Sequence, residues 1–95
     1  MNLNEMKNRM EEIKGWGIEG NAIIKEFEFK DFKETMVLVN KIAEISEKLG
    51  HHPSMLVDYS RLRVTLITHG EKTITDKDFE LAKEIDKLAG DKLLT

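Results

Sequence analysis

The chain contains a single proline, Pro53, and it lies where two kinds of backbone structure must meet. Proline has no backbone N–H and cannot continue a helix, and it also pushes the residue before it towards extended geometry. Three residues earlier, Gly50 is suited to the left-handed conformation in which many helices end. The segment Gly50-His51-His52-Pro53 therefore predicts the end of a helix followed directly by extended chain.

Three segments have the apolar spacing of amphipathic helices. The first precedes Gly15, the second covers residues 31–49, and the third covers residues 75–90. The residues suited to cap their starts are Asn2 or Asn4, Asp31 with Glu34, and Thr75 with Asp78. The predicted buried stripes are Leu3, Met6, Met10 and Ile13, then Phe32, Met36, Val39, Ile42 and Ala43, and finally Phe79, Ala82, Ile85 and Ala89.

Four shorter segments have the alternation of apolar and polar residues that is typical of strands. Residues 16–18 and 22–29 flank a turn signal at Glu19-Gly20-Asn21, so we predict a hairpin there. Residues 55–59 and 62–68 form a second pair of strands. The apolar faces are Ile23, Phe27 and Phe29 in the first pair, where Lys25 is the exception, and Leu62, Val64 and Leu66 in the second.

Strands that are joined by short turns favour an antiparallel sheet, and three amphipathic helices suit the covering of one face. The predicted fold is therefore α+β, with a four-stranded antiparallel sheet and three helices packed on one face. The order of elements is α-β-β-α-β-β-α. A chain of 95 residues is the size of one domain, so we expect residues 1–95 to form a single unit.

Charge and composition exclude several classes of function. The 15 basic and 18 acidic residues give a net charge of −3, which argues against direct binding of nucleic acid. Apolar stretches are only a few residues long, so neither a membrane span nor a secretory signal is expected. The absence of cysteine excludes disulfides, thiolate nucleophiles and cysteine zinc sites, and it is compatible with the cytoplasm.

The three histidines, His51, His52 and His69, are the candidates for acid–base chemistry, because imidazole titrates near neutral pH. Neighbouring residues of a strand point to opposite faces, so the first two can share a site only if the chain turns between them. Gly50 and Pro53 allow such a turn. Pairing of residues 55–59 with 62–68 would bring His69 to the same place.

Three interpretations of these histidines remain open from the residues alone. Each imidazole can cap a helix end or bond to backbone in a purely structural role. Three histidines can also hold a catalytic zinc ion, although neither a helical pair nor a well-placed carboxylate supports this. The third interpretation is general acid–base catalysis on a small ligand, in which one imidazole removes a proton and another donates one.

The spacing of these residues resembles that of the pterin-4a-carbinolamine dehydratase family. Glu47 is followed after three residues by His51-His52-Pro53, after five more by Tyr59, after nine by His69, and after eight by Asp78. Trp16 and the run Phe27-Glu28-Phe29-Lys30-Asp31-Phe32 are similar to the family's upstream part as well. The resemblance thus covers nearly the whole chain.

The resemblance implies a hydro-lyase that converts a 4a-hydroxytetrahydropterin to the quinonoid dihydropterin and water. This reaction recycles tetrahydrobiopterin for aromatic amino acid hydroxylases. Pterin is then the substrate, and no metal or other cofactor is implied. The implied catalytic residues are His51, His52 and His69, and the implied pterin-binding residues are these three with Glu47, Gly50, Pro53, Thr68 and Gly70. Glu47 is expected to orient a histidine, and Asp78 to serve as a helix cap partner.

The same resemblance also implies a homodimer or homotetramer built through sheet edges and helices, and it leaves a rival function open. Some members look like dimerization cofactors of a homeodomain transcription factor, and others are associated with molybdopterin metabolism or protein assembly. This chain departs from the family pattern at Met55, where many relatives have tryptophan, and in the loop Glu71-Lys72-Thr73, which lacks the usual glycines. Both departures concern the choice of pterin more than the chemistry.

Overall fold

The computed structural model describes residues 1–90, so the last five residues of the predicted domain lie outside the described part. The predicted order of elements is confirmed. The helices are α1 (Leu3–Glu11), α2 (Phe32–Leu49) and α3 (Asp76–Ala89), and the strands are β1 (Gly17–Glu19), β2 (Ala22–Glu28), β3 (Ser54–Asp58) and β4 (Arg61–Leu66). No helix within residues 1–90 is long and apolar enough to cross a membrane.

The four strands form one antiparallel sheet in the order β1-β2-β4-β3, and the helices cover one face of it. Strand β4 is central, pairing Leu62 with Phe27 on one side and with Val57 on the other. Leu62, Val64 and Leu66 are fully buried, as the alternation predicted. The outer strands β1 and β3 are the two edges of the sheet.

The helix ends confirm the predicted caps. Asn2 caps α1 in a capping box, although this helix ends at Glu11 rather than continuing to Gly15. Asp31 caps α2, which ends at Gly50 with φ of 68°, the left-handed geometry that favours glycine. Thr75 caps α3 in a second capping box. The two ends that matter for the site are therefore specified by local sequence.

The predicted buried stripe of α2 is largely wrong. The buried residues are Thr35, Leu38, Ile42 and Ser46, so that only Ile42 was predicted. Phe32 is 51% exposed, and Leu3 in α1 is 88% exposed, which is also contrary to the prediction. The apolar spacing did not predict this buried face because two of its residues, Thr35 and Ser46, are polar. The Thr35 hydroxyl can be buried because it donates a hydrogen bond to the carbonyl of Asp31 at 2.9 Å.

Lys25, the exception in the apolar face of β2, is buried with only 4% of its surface exposed. Its Nζ donates to the carbonyl of Lys14 at 2.7 Å and to Oδ1 of Asp86 at 2.9 Å. The indole Nε1 of Trp16 donates to the same carboxylate at 3.1 Å. A buried ammonium is tolerated here because it is paired and hydrogen-bonded, and the network joins the first hairpin to α3.

Candidate active site

The candidate site lies where the chain passes from α2 into β3 and from β4 into α3. Ser54, the first residue of β3, pairs with Thr65 in β4. The residues just before β3 therefore lie beside those just after β4. This arrangement brings the segment 50–53 next to the segment 68–70, which are the two segments that contain the histidines.

His51 is held by a buried carboxylate at the start of α3. Its Nε2 lies 2.6 Å from Oδ1 of Asp78, and its backbone N–H donates to the carbonyl of Ser46 at 3.1 Å. The Asp78 side chain is fully buried, whereas the His51 side chain is 12% exposed. An interaction of this kind is strengthened by the low local dielectric and by the fixed position of both partners.

Asp78 receives two further hydrogen bonds on its other oxygen. The Thr68 hydroxyl donates to Oδ2 at 2.8 Å, and the backbone N–H of Thr75 donates to the same atom at 2.9 Å. The hydroxyls of Thr68 and Thr75 are themselves 2.6 Å apart. One carboxylate thus connects the end of α2, the segment after β4 and the first turn of α3.

His52 is held in a different way. Its Nε2 is hydrogen-bonded to Oε2 of Glu47, which lies in the last turn of α2. Both side chains are open to solvent, with 61% of His52 and 78% of Glu47 exposed. The expectation that Glu47 orients a histidine thus corresponds to a direct contact with His52.

His69 follows Thr68 in a short turn that is closed by a bridge between Thr68 and Thr73. The side chain of His69 is exposed, and its carbonyl accepts a hydrogen bond from the Lys72 N–H at 3.2 Å. Gly70 is exposed in the same turn, while Gly50 and Pro53 flank the paired histidines. The segment of His69 is therefore next to His51, but within residues 1–90 the His69 ring has no hydrogen bond of its own.

A shallow depression of about 290 Å³ adjoins this network, and Thr68 and Thr75 form part of its wall. The other lining residues are Glu71, Asp76 and Lys77. Across the described residues, no three histidine or carboxylate side chains are placed so that they could share a metal ion. The chemistry that this arrangement can perform is proton transfer by two imidazoles with separate carboxylate partners.

Sequence reasoning missed two features of this site. Asp78 was expected as a cap partner rather than as a catalytic residue. It does accept from the Thr75 N–H, but it also contacts His51. Thr75 was predicted only as a helix cap. The available signal was the position of Asp78 in the spacing that resembles the dehydratase family, since a cap alone gives no reason for that spacing.

Comparison with known proteins identifies the family. Residues 1–88 match the family described as "Pterin 4 alpha carbinolamine dehydratase". A protein of Sulfolobus acidocaldarius is 47% identical over 85 residues, which are 90% of this chain and 93% of that protein. A protein of Sulfurisphaera tokodaii is 43% identical over 88% of this chain and 90% of its own length. Both carry the provisional name pterin-4-alpha-carbinolamine dehydratase. This chain belongs to the pterin 4 alpha carbinolamine dehydratase family.

Two solved structures have the same fold. A protein of Brucella melitensis, named a transcriptional coactivator/pterin dehydratase, has a TM-score of 0.90 and 35% identity over 95% of this chain and 98% of its own. A pterin dehydratase-like protein identified as a RuBisCO assembly factor in the alpha-carboxysome has a TM-score of 0.66 and 22% identity. That similarity covers 79% of this chain and 87% of the other, and it concerns the fold alone.

Proposed function

We propose that this protein dehydrates a 4a-hydroxytetrahydropterin to the quinonoid dihydropterin, as a hydro-lyase of its family. The observation that supports this most is the separate carboxylate partner of each adjacent histidine, Asp78 for His51 and Glu47 for His52. Two imidazoles with independent partners can be in opposite protonation states at the same time. Removal of water from a neutral molecule needs one protonated group that gives a proton to the leaving hydroxyl and one neutral group that accepts a proton.

The reaction breaks the bond between C4a and the hydroxyl oxygen, which leaves as water after accepting a proton. A ring-nitrogen proton is lost in the same conversion, and its bonding electrons form the new double bond to C4a. One imidazolium supplies the first proton and one neutral imidazole accepts the second. Well-placed groups of this kind each contribute about 10²–10⁴-fold to the rate.

We assign these proton transfers to His51 and His52, with His69 binding and polarising the pterin. Glu47 and Asp78 act through the two imidazoles, in the way that a carboxylate orients a catalytic histidine and stabilises its charged form. The backbone groups of Gly50, Pro53, Thr68 and Gly70 are the proposed contacts to the flat heterocycle. The reaction as written is neither an oxidation nor a reduction, so we propose that the enzyme works without a cofactor and with pterin as its substrate.

The same proposal includes assembly of the chain into a homodimer or homotetramer in the cytoplasm. Strand β3 is an open edge, which natural proteins must pair or blunt. Helix α2 leaves apolar side chains at its surface, with Phe32, Val37 and Leu49 between 44% and 51% exposed. Size-exclusion chromatography with light scattering should give a mass of two or four chains, and a species of 11.0 kDa alone would contradict assembly.

The deciding experiment follows the loss of a synthetic 4a-hydroxytetrahydropterin by ultraviolet absorbance. Wild-type protein should accelerate the loss equally with and without a chelator. Substitution His52→Ala should reduce the acceleration about 100-fold or more, because it removes one of the two proton-transfer groups. Since His52 is exposed, its loss should leave the fold and the assembly state unchanged. A dependence on metal would favour the zinc interpretation instead.

A second candidate function is a non-catalytic module for assembly or transcriptional coactivation. The exposed apolar residues of α2 favour it, because such a surface suits a partner helix, and a structural relative carries a coactivator name. The net charge of −3 favours contact with a protein over direct contact with DNA. If wild-type protein leaves the rate of dehydration unchanged, this second function is the better explanation. In the enzyme's favour, a pure interaction module has no physical need for two histidine–carboxylate pairs.

A further inference from the structure

We propose that the hydroxyls of Thr68 and Thr75 are positioning residues that fix the protonation pattern of His51 through Asp78. This inference rests on the proposed dehydratase function for its kinetic consequence, but its structural part can be tested without any activity. The role proposed for the Thr68 hydroxyl is to hold Asp78 and not to contact the pterin. It also gives Thr75 a part in the site beyond capping α3.

The contacts of the two hydroxyls determine where each hydroxyl proton lies. An ionised carboxylate can only accept, so Thr68 must donate its single proton in the 2.8 Å contact with Asp78. Thr68 therefore has no proton left for Thr75, and the 2.6 Å contact between the two hydroxyls must be donated by Thr75. The Thr75 oxygen in turn accepts from the backbone N–H of Lys77 at 3.3 Å. The chain of donors runs in one direction, from Thr75 to Thr68 to Asp78.

The same carboxylate determines which nitrogen of the His51 imidazole carries the proton. Oδ2 of Asp78 already accepts from two donors, the Thr68 hydroxyl and the Thr75 backbone N–H. The remaining oxygen, Oδ1, lies 2.6 Å from Nε2 of His51, so the carboxylate accepts there as well. His51 must then hold its proton on Nε2 when it is neutral, and its Nδ1 is left as the acceptor. The donors on Oδ2 hold the carboxylate so that Oδ1 faces Nε2, and this orientation determines which ring nitrogen of His51 is free to take a proton from a substrate.

The Thr68 hydroxyl is not free to donate a hydrogen bond to the pterin. It donates to Asp78 and accepts from Thr75, so it has no proton to offer to a ligand. Loss of the hydroxyl should therefore weaken catalysis and leave affinity for the substrate nearly unchanged. A direct contact between the Thr68 hydroxyl and the pterin would have the opposite signature, a higher KM at constant kcat.

The structural arm of the test measures the nitrogen chemical shifts of the three imidazoles by long-range ¹H–¹⁵N NMR on the full-length protein. Single His→Gln variants assign the three rings. In wild-type protein at alkaline pH we expect His51 to be almost entirely the Nε2–H tautomer. Thr68→Val should give a mixture of both tautomers of His51, because Asp78 then keeps only one of its two donors on Oδ2 and can turn Oδ1 away from Nε2. His52 should be unchanged, and Thr68→Ser should restore the wild-type pattern. Dominance of the Nδ1–H tautomer in wild-type protein would overturn the proposal, whether or not the valine variant folds.

The kinetic arm compares the same variants. Thr68→Val should lower kcat about tenfold, the effect of one lost hydrogen bond, with KM changed less than about twofold. Thr68→Ser should recover most of kcat. A rise in KM alone, or tautomers that do not respond to Thr68→Val, would overturn the positioning role. If wild-type protein has no dehydratase activity but the tautomers respond as expected, the network is supported and the proposed function has failed.

Discussion

The two histidine–carboxylate pairs of this protein have the same chemistry in opposite surroundings. His51 and Asp78 are 12% and 0% exposed, while His52 and Glu47 are 61% and 78% exposed. The buried pair receives two further hydrogen bonds, from the Thr68 hydroxyl and the Thr75 backbone N–H, whereas the exposed pair joins the last turn of α2 to the residue before Pro53. The difference shows how two adjacent imidazoles can be given different tasks.

A buried pair whose carboxylate has hydrogen bonds on both oxygens is rigid and poorly screened, so removal of one partner leaves the other unsatisfied away from water. An exposed pair is screened by solvent and contributes little to stability, but it can exchange protons with water freely. Under the proposed dehydratase function, this difference would make His51 the ring whose position is fixed for the substrate. His52 would be the ring that regains its proton from solvent between turnovers.

The largest expected effect comes from removing the carboxylate of the buried pair. Asp78→Ala should lower the free energy of unfolding by about 3 kcal/mol, because it leaves His51, Thr68 and the Thr75 N–H without their acceptor. It should also reduce dehydration about 100-fold or more. Urea unfolding and the ultraviolet assay measure the two effects.

The matched control for this variant is Asp76→Ala, in the same turn of α3. Asp76 is 71% exposed and pairs with Arg9, so its loss should cost less than about 1 kcal/mol and spare the activity. Equal destabilisation by the two variants would show that the buried pair contributes no more to the free energy of unfolding than an exposed pair does.

The second prediction concerns the exposed pair. Glu47→Gln should change the free energy of unfolding by less than about 0.5 kcal/mol, because exposed pairs are worth little. It should still lower kcat several-fold, since the imidazole loses the charge that stabilises its protonated form. Glu44→Gln, an exposed position one turn earlier in α2, is the control and should change neither quantity. A large loss of stability in Glu47→Gln would remove the contrast between the pairs.

The same contrast explains how much could be predicted from the sequence. The ends of α2 and α3 were predictable because Asp31, Gly50 and Thr75 act on their own neighbours within a few residues. The face of α2 was not, because Thr35 and Ser46 are polar and the apolar spacing of the helix points elsewhere. Local signals therefore gave the elements correctly, while the packing of α2 depended on the rest of the fold.

In the site as well, the contact between residues close in sequence was predictable and the contact between distant residues was not. The contact between Glu47 and His52 spans five residues and was expected as a carboxylate that orients a histidine. The contact between His51 and Asp78 spans 27 residues and was not expected, because nothing local requires it. It exists because β3 pairs with β4 and brings the start of α3 beside the end of α2. Local sequence could thus not show this contact before the sheet register was known, and only the position of Asp78 in the family-like spacing pointed to it.

A third prediction uses salt to separate the two pairs. Between about 0.1 M and 1 M salt the screening length falls from about 10 Å to about 3 Å, which weakens exposed pairs far more than buried ones. Double-mutant cycles on the free energy of unfolding, at about pH 5 where an ordinary imidazole is charged, measure each coupling. Coupling of His52 with Glu47 should vanish at high salt, whereas coupling of His51 with Asp78 should persist. Equal salt dependence would contradict the assigned difference in burial.

The smallest expected effect comes from a third pair, which is exposed and purely structural. Glu12, the C-cap residue of α1, lies 2.7 Å from Lys83 of α3. The hydrogen bond from Lys83 lowers the pKa of Glu12 below its ordinary value of 4.5; slight burial opposes this, and the charges of Lys83 and Arg9 add to it. Because the folded-state pKa is the lower one, the stabilisation is complete above the ordinary pKa and is lost as pH falls through the folded-state value.

The difference in urea midpoint between wild-type protein and Lys83→Ala should therefore be small at pH 7 and should shrink as the pH is lowered below 4.5. Lys87→Ala controls for the loss of a lysine from the same helix, where the partner Glu84 is three residues away. A difference that stays constant down to pH 3 would mean that the Lys83 stem stabilises α1 by packing and not by charge. In that case this exposed pair gives the fold no electrostatic stabilisation despite its good geometry. The contribution of the buried Asp78 to the free energy of unfolding would then differ even more from that of an exposed pair.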